Sequence, residues 1–183
     1  MLKVGVFGSD FLINKNREIL QEKNCQVIAL QEEKQLHQVD AVIITGWQEK
    51  DYGAKINSWA EELRKMEKEN MVMLAIAHGS IAMGQKGRLK LMDYWSTTLS
   101  TAPVYLPLEI SSLDHVRFTA CFLPDIRFTH VAPNLGILCC DKQRGPIILR
   151  QGNYLACNYV AELTKKTYLY DYWLEMVLSA KMT

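Results

Sequence analysis

The residues most suggestive of chemistry lie where a buried apolar stretch gives way to small residues. Residues 71–77 are continuously apolar and lead into His78, Gly79 and Ser80. A buried strand that turns sharply into a helix has the form of a nucleophile elbow, which holds a reactive side chain above a parallel sheet. Ala77 occupies the predicted apex of this turn, and an alanine side chain cannot act as a nucleophile. The pattern therefore predicts the scaffold of a covalent catalyst without its reacting atom.

A second group of candidate residues follows other predicted strands. Ligands of open α/β sheets bind beyond the carboxyl ends of the parallel strands. The turns expected at that edge are residues 8–10, 45–48 and 77–80, and residues 160–162 follow a later strand. We therefore expect any functional site to lie where these four segments meet.

The elements that must position these turns follow from the spacing of apolar residues. Four strands are predicted in the first half of the chain, at residues 2–7, 26–30, 39–45 and 71–77. A helix is expected at about residues 13–23, and apolar side chains at helical spacing predict one amphipathic helix over residues 53–70. This alternation predicts a parallel sheet with right-handed crossovers and helices on both faces.

The second half of the chain has a different pattern. Residues 90–122 are rich in β-branched and aromatic side chains and contain two prolines, which predicts an antiparallel excursion. Residues 137–140 and 147–150 flank a turn and predict a hairpin, and a further strand is expected at residues 154–159. A final helix should dock on the sheet through one apolar face. The expected fold is a single-domain α/β protein over residues 1–183, a three-layer flavodoxin-like arrangement with a mostly parallel central sheet.

Composition excludes several functional classes. The 183 residues carry a formal net charge of +1, with acids and bases interspersed, so the basic face of a nucleic-acid-binding protein is not expected. No apolar run approaches the roughly 20 residues that span a bilayer, and we expect a cytoplasmic protein without a membrane partner. The five cysteines are odd in number and lack CxxC spacing, which argues against a disulfide framework or a zinc site. We expect no metal and no cofactor.

Several of these segments resemble class I glutamine amidotransferases. The resemblance rests on the order of elements, on residues 39–46, on the elbow and on residues 152–164. Within that superfamily the chain is most similar to the glutaminase subunit of pyridoxal 5′-phosphate synthase. The likeness covers nearly the whole length, and it is strongest in the last third. There the family sequence G-x-x-x-G-x-x-F-H-P-E-L-T keeps its first glycine, its glutamate and its Leu-Thr.

Position by position, the resemblance implies a degenerate catalytic triad. The nucleophilic cysteine of the family falls on Ala77, the general-base histidine falls on Val160, and the third member matches Glu162. The oxyanion turn, P-G-G-E-S in the family, corresponds to residues 45–49, where Trp47 replaces the second glycine. Glutamine hydrolysis by this route needs a thiolate, an imidazole and backbone N–H donors, and losing the first two costs a factor of about 10⁶ in rate in comparable triads.

The first functional hypothesis is therefore a non-catalytic binding or regulatory homologue of that glutaminase subunit. It would hold a small-molecule ligand in the former glutamine cleft, or dock a synthase-like protein partner or a second copy of itself, with no nucleic acid involved. The ligand-binding candidates combine turn residues with an Arg and a His that match the R-x-P-H segment of the family: Gly46, Trp47, Gln48, His78, Gly79, Arg127 and His130.

The alternative hypothesis is a hydrolase or amidotransferase that acts without cysteine, using His78 or Glu162 to activate a water. Residues 75–79 also resemble the A-I-C-H-G elbow of the PfpI-type protease and chaperone superfamily, again with Ala77 in place of cysteine. We favour a structural or ligand-contacting His78, and we expect Glu162 to be a carboxylate at the N-terminus of the last helix. A flavodoxin-like nucleotide binder is a third, weaker interpretation, because no G-x-G-x-x-G sequence is present.

Overall fold

A seven-stranded sheet forms the centre of the computed structural model, which describes residues 1–66, 69–100, 102–110, 116–164 and 166–182. Its strands are β1 (Leu2–Phe7), β2 (Cys25–Ala29), β3 (Ala41–Gly46), β4 (Val72–Ala77), β9 (Gly136–Asp141), β10 (Gly145–Gln151) and β11 (Tyr154–Cys157). Their spatial order is β2-β1-β3-β4-β11-β10-β9. The first five strands in that order pair in parallel, and β10 pairs antiparallel with both β11 and β9. The order of the parallel part is that of a flavodoxin-like sheet.

Helices cover both faces of this sheet. They are α1 (Asp10–Gln21), α2 (Gly53–Ser58), α3 (Ala60–Lys65), α4 (Gly79–Met83) and α5 (Tyr168–Met182), with 3₁₀ turns at Glu33–Gln38, Glu49–Asp51 and Ala161–Leu163. Side chains alternate along the strands, so that Leu74 and Ile76 of β4 pack with α1 and α5 while Met73 and Ala75 pack with α2, α3 and α4. The two apolar clusters define an α1/α5 face and an α2/α3/α4 face.

The remaining strands form two antiparallel pairs outside the main sheet. One pair joins β5 (Trp95–Ser100) to β8 (Asp125–Thr129), and the other joins β6 (Val104–Ile110) to β7 (Val116–Phe122). The antiparallel excursion predicted for residues 90–122 is therefore confirmed, except that residues 101 and 111–115 lie outside the described part of the chain. The sequence prediction missed β8, which supplies the partner of β5.

Two helix predictions differ from the structure. Helix α1 begins at Asp10 rather than near Ile13, because the extended backbone of Ser9 marks the N-cap and an acidic first turn follows it. The single helix predicted over residues 53–70 is divided into α2 and α3, and residues 67 and 68 lie outside the described residues. The break falls at Trp59, whose backbone is not helical and whose buried indole packs on Phe7 with ring centroids 5.2 Å apart. Packing of that large ring has overridden the helical periodicity.

The hairpin and the docking of the last helix follow the prediction. Strands β9 and β10 pair antiparallel across the predicted turn, and Trp173 of α5 is fully buried against the α1/α5 face. The strand predicted at residues 154–159 is shorter and ends at Cys157. None of the helices in the described ranges is long and apolar enough to cross a membrane.

Candidate functional site

The turn after β4 has the backbone geometry of an elbow. Ala77 adopts a φ of +51°, in the left-handed region that costs a non-glycine residue of the order of 1–3 kcal/mol. Helix α4 begins two residues later, at Gly79. The strand, the turn and the helix predicted from the sequence are therefore all present, with the strained residue at the apex.

Close contacts to β3 hold the elbow in place. A Cβ on Gly79 would lie 2.2 Å from the Ile44 carbonyl oxygen, so only glycine allows α4 to approach β3 this closely. The His78 backbone N–H donates to the Gly46 carbonyl over 3.0 Å, and the Ser80 hydroxyl donates to the Ala77 carbonyl over 2.7 Å. The elbow and the end of β3 thus form one rigid unit, which brings together the predicted residues Gly46, His78 and Gly79.

His78 is oriented by a tyrosine rather than by a carboxylate. The Tyr52 hydroxyl donates to the His78 carbonyl over 2.7 Å and lies 2.8 Å from His78 Nδ1. The hydroxyl has a single proton. With that proton donated to the carbonyl, the arrangement predicts an Nδ1–H tautomer that donates to Tyr52 and leaves Nε2 as an acceptor. Burial lowers the pKa of His78 from its ordinary value of 6.5, so the ring is neutral at pH 7.

The positions that the resemblance assigns to the catalytic triad are closed to solvent. Ala77 and Val160 have no exposed surface, and Glu162 is only 5 % exposed. The Val160 backbone N–H donates to the Cys121 carbonyl over 2.7 Å, which ties this segment to β7. A substrate in solution therefore has no direct access to these three side chains in this conformation.

Glu162 lies in the interior, and the expectation that it caps the last helix is wrong. It belongs to the 3₁₀ turn Ala161–Leu163, several residues before α5 begins. Its Oε1 accepts hydrogen bonds from Thr45 Oγ1 at 2.5 Å and from Asn16 Nδ2 at 3.0 Å, while Oε2 has no hydrogen-bond partner among the residues that the structure describes. Desolvation by burial raises the pKa of Glu162 above its ordinary value, and the hydrogen bonds to its carboxylate, that from Thr45 foremost, oppose this only in part.

The turn that the resemblance assigns to the oxyanion loop already binds a side chain of the protein itself. Asp51 Oδ2 accepts the backbone N–H of Trp47 at 2.7 Å and that of Gln48 at 3.1 Å. The Trp47 indole packs against the apolar cluster that contains Ala77 and Val160, and its ring centroid is 5.5 Å from that of Phe11. Donors that would serve an oxyanion are thus engaged within the loop, and the indole fills the space beside them.

A cleft of about 650 Å³ lies on the α2/α3/α4 face, next to the elbow. His78 and Tyr52 line it together with side chains of α2, α3, α4 and the segment that follows α4. Val160 and Ala77 belong instead to the apolar cluster of the α1/α5 face. The open cleft and the triad positions are therefore separated by the sheet, and His78 is the candidate residue that lines the cleft.

Arg127 lies on β8 and His130 directly follows that strand, in the antiparallel part of the fold. Arg127 of β8 donates to the Gln143 carbonyl over 3.0 Å and lies 3.4 Å from Asp125 Oδ1. His130 is exposed and packs on Trp95 with ring centroids 4.3 Å apart. The contacts of Arg127 are with Gln143 and Asp125. The Trp95 ring also carries Lys86 Nζ, 4.2 Å from its centroid, and Lys86 lines the cleft. A ligand-binding role for Arg127 and His130, as the resemblance implies, stays a prediction.

Three functional features were not anticipated from the sequence: Asp51 in the oxyanion turn, Tyr52 on His78, and a basic segment at residues 86–90. Asp51 is the third residue of the 3₁₀ turn Glu49–Asp51, and its side chain accepts the backbone N–H of Gln48 at the N-cap, as in a capping box. An acidic residue three positions after a polar N-cap was the available signal for Asp51. In the described ranges, no group of three or more His, Cys, Asp or Glu side chains is arranged to hold a metal ion.

Comparison with known proteins gives a consistent result. The chain is 22 % identical over 192 residues to the pyridoxal 5′-phosphate synthase subunit PdxT of Thermotoga maritima, covering 96 % of this chain and 100 % of that protein. It is 23 % identical over 198 residues to PdxT of Bacillus cereus strain AH187, covering 100 % and 98 %. No family model matches the sequence.

Solved structures show the same fold. A glutamine amidotransferase crystal structure superposes with a TM-score of 0.83 at 22 % identity, covering 95 % of this chain and 98 % of the other. The structure of PurLQS from Thermotoga maritima has a chain that superposes with a TM-score of 0.71 at 12 % identity, covering 98 % and 97 %. The protein has a class I glutamine amidotransferase-like fold, and its sequence is similar to PdxT proteins along nearly the whole chain.

Proposed function

We propose that this glutamine amidotransferase-like chain is a single-domain, cytoplasmic binding or regulatory protein that does not hydrolyse glutamine. The observation that carries the proposal is the Asp51 carboxylate on the backbone N–H groups of Trp47 and Gln48. An oxyanion would have to displace this carboxylate and would meet its negative charge. The loop is therefore built to be stable without substrate rather than to stabilise a developing negative charge.

Two further observations support the loss of catalysis. Ala77 and Val160 carry neither a thiol nor an imidazole, and both are fully buried. Glu162 has no imidazole to orient and is held instead by Thr45 and Asn16. A residual pocket without nucleophile and base gives only about 10³–10⁴ over the uncatalysed reaction in comparable enzymes, which is too little for a glutaminase.

Binding is the role that remains for such a fold. The PdxT relatives are named as subunits of pyridoxal 5′-phosphate synthase. We infer that this chain likewise acts next to a synthase-like protein, or as a dimer of itself, and that its contribution is regulatory. Size-exclusion chromatography with light scattering, on the chain alone and mixed with a purified pyridoxal 5′-phosphate synthase core subunit, tests this. A chain that stays monomeric in both samples would argue against a docking role.

The decisive experiment is a glutaminase assay on four matched proteins. Wild type, Ala77→Cys/Val160→His, Trp47→Gly/Asp51→Ala and the combination of all four substitutions are assayed for ammonia release from glutamine. We expect no activity in the wild type or in either double variant, because each lacks either the nucleophile and base or the free oxyanion donors. Activity restored only in the fourfold variant would show that the missing nucleophile and base and the engaged oxyanion donors each abolish catalysis. Ammonia release by the wild type would overturn the proposal.

A second candidate function, hydrolysis without cysteine, is favoured by one observation. His78 is neutral and lines the open cleft, so it has the protonation state of a general base. Glu162 is less suited to this role, because its side chain is buried and its Oε1 already accepts hydrogen bonds from Thr45 and Asn16. Hydrolysis of any amide or ester that disappears in His78→Ala but not in Glu162→Gln would support this candidate against the first.

A further inference from the structure

The cleft on the α2/α3/α4 face has an unbalanced charge. Its charged lining side chains comprise one acid and four bases: Glu49, Arg64, Lys86, Arg88 and Lys90. Within the ranges that the structure describes, Lys86, Arg88 and Lys90 form no ion pair with a carboxylate. The whole chain has a net charge of only +1, so the positive charge is a local property of this cleft.

The segment that carries these bases, residues 86–90, is firmly held. A Cβ on Gly87 would lie 2.0 Å from the Ile81 carbonyl oxygen, so the segment packs directly on the backbone of α4. The Leu89 backbone N–H donates to the Ala82 carbonyl over 2.9 Å. Residues 86–90, which we call the basic loop, are therefore fixed in position before any ligand arrives.

Arg64 of α3 holds the basic loop in position through hydrogen bonds to its backbone carbonyls, and these bonds leave the positive charge of Arg64 without a negative partner among the residues that the structure describes. Its Nε donates to the Leu89 carbonyl over 3.2 Å and its Nη2 donates to the Arg88 carbonyl over 2.9 Å. The Arg64 guanidinium thus binds two backbone oxygens, and it adds a fourth positive charge to the three of the basic loop. Four cations that line one cleft raise the electrostatic potential in it, and a bound anion lowers that potential.

We propose that the cleft is a binding site for a small dianionic ligand, a phosphate ester or a dicarboxylate, held by Lys86, Arg88 and Lys90. The site goes beyond the proposed function, since it lies across the sheet from Val160 and Glu162 and does not depend on whether glutamine is hydrolysed. A group with two negative charges engages two or three separate cations at once, which a single carboxylate does less well.

The shape of the cleft selects a small molecule over a polymer. Its volume of about 650 Å³ lies in the range of roughly 300–1,000 Å³ that is typical of metabolite sites. A nucleic acid would need basic side chains along an extended face, and acids and bases elsewhere in the chain nearly balance. His78 and Tyr52 add polar groups at the elbow end of the cleft, where they can contact the uncharged part of a ligand.

The test is calorimetric titration of the full chain with inorganic phosphate and, separately, with succinate, at constant ionic strength set by chloride. We expect saturable binding of at least one of them and a rise in the melting temperature. The stronger probe identifies the source, phosphate ester or dicarboxylate. Lys86→Gln/Arg88→Gln should weaken binding at least about tenfold, because each charged contact contributes more than a neutral hydrogen bond.

The matched control is Lys142→Gln, which removes an exposed lysine from the turn between β9 and β10. It should leave the affinity unchanged, and circular dichroism should show that all variants are folded. Absence of binding beyond that of chloride would overturn the proposal, and so would equal weakening in Lys142→Gln. Tighter binding of a DNA oligonucleotide that does not compete with phosphate would also overturn it.

Discussion

At the residue scale, the buried carboxyl of Glu162 makes the stability of the protein depend on pH. Its raised folded-state pKa means that the folded protein favours the protonated form. The stabilisation is complete below the ordinary glutamate pKa of 4.5 and is lost as the pH rises through the folded-state value. We therefore expect the wild type to lose stability, relative to Glu162→Gln, as the pH rises from 4.5 towards neutrality.

Urea unfolding of both proteins at several pH values measures this difference. The amide of the variant keeps an oxygen for Thr45 and Asn16 but cannot ionise, so its unfolding free energy should change less over that pH range. Glu61→Gln, on the exposed face of α3, is the matched control and should follow the wild type. A parallel pH dependence of Glu162→Gln and wild type would show that the buried carboxyl is not the titrating group.

The Tyr52 hydroxyl supports a second prediction at the residue scale. Tyr52→Phe removes the donor to the His78 carbonyl and the acceptor for His78 Nδ1–H. We expect a loss of about 1–2 kcal/mol in unfolding free energy and a shift of the imidazole away from the Nδ1–H tautomer. Long-range ¹H–¹⁵N spectra report the tautomer. Tyr168→Phe, at an exposed tyrosine, should change neither quantity, and an unchanged tautomer in Tyr52→Phe would contradict the assignment.

At the scale of the element, the elbow depends on the contact between α4 and β3. Gly79→Ala places a methyl group against the Ile44 carbonyl, and the rigid backbone on both sides leaves it little room. We expect a loss of about 3 kcal/mol in unfolding free energy. Gly136→Ala is the control, because the nearest atom to its Cβ would be 3.7 Å away, and it should stay within about 1 kcal/mol of wild type. Similar losses in both variants would exclude the close approach as the cause.

Local sequence patterns predicted the strands of the parallel sheet. They failed for elements whose bounds depend on packing against residues far away in the sequence. The continuous apolar run ending at Ala77 identified β4 because a strand covered on both faces has no polar side. The break between α2 and α3 could not be anticipated, since it depends on Trp59 meeting Phe7 of another strand. Strand β8 was missed for a similar reason, because it is short and is defined by its pairing with β5.

At the scale of the whole molecule, the reactivity of the five cysteines reports whether the chain is folded. Cys140 is exposed, whereas Cys25, Cys121, Cys139 and Cys157 are buried as free thiols. Burial raises the pKa of Cys139 to about 12 and also raises that of Cys157, so both are inert at neutral pH. We expect one thiol to react rapidly with Ellman's reagent in the native protein.

All five thiols should react in denaturant, and Cys140→Ser should remove the rapid phase. Cys121→Ser serves as the comparison and should leave that phase in place. A second rapid thiol in the native protein would mean that one of the four buried cysteines becomes accessible through local opening of the fold.

The sequence predicts where the candidate site lies along the sheet, but it does not predict which face of the sheet is open at that point. Turns after parallel strands must meet at one edge, so Gly46 and His78 were expected to be neighbours and are joined by a backbone hydrogen bond. Which face of the sheet is open depends on side chains from distant elements. Trp47 contributes to the closed side, and the basic loop, folded back onto α4, lines the open one.

The place of β11 between β4 and β10 has a consequence for the order of folding. Strand β4 is buried along its whole length, yet its neighbour on one side is the last strand of the chain. Pairing between segments so distant in sequence is slow, because loop-closure entropy must be overcome first. Until Tyr154–Cys157 has been synthesised and has paired, β4 presents an open apolar edge of the kind that templates association between chains. A nascent or truncated chain that ends before Tyr154 should therefore be the most aggregation-prone form of this protein.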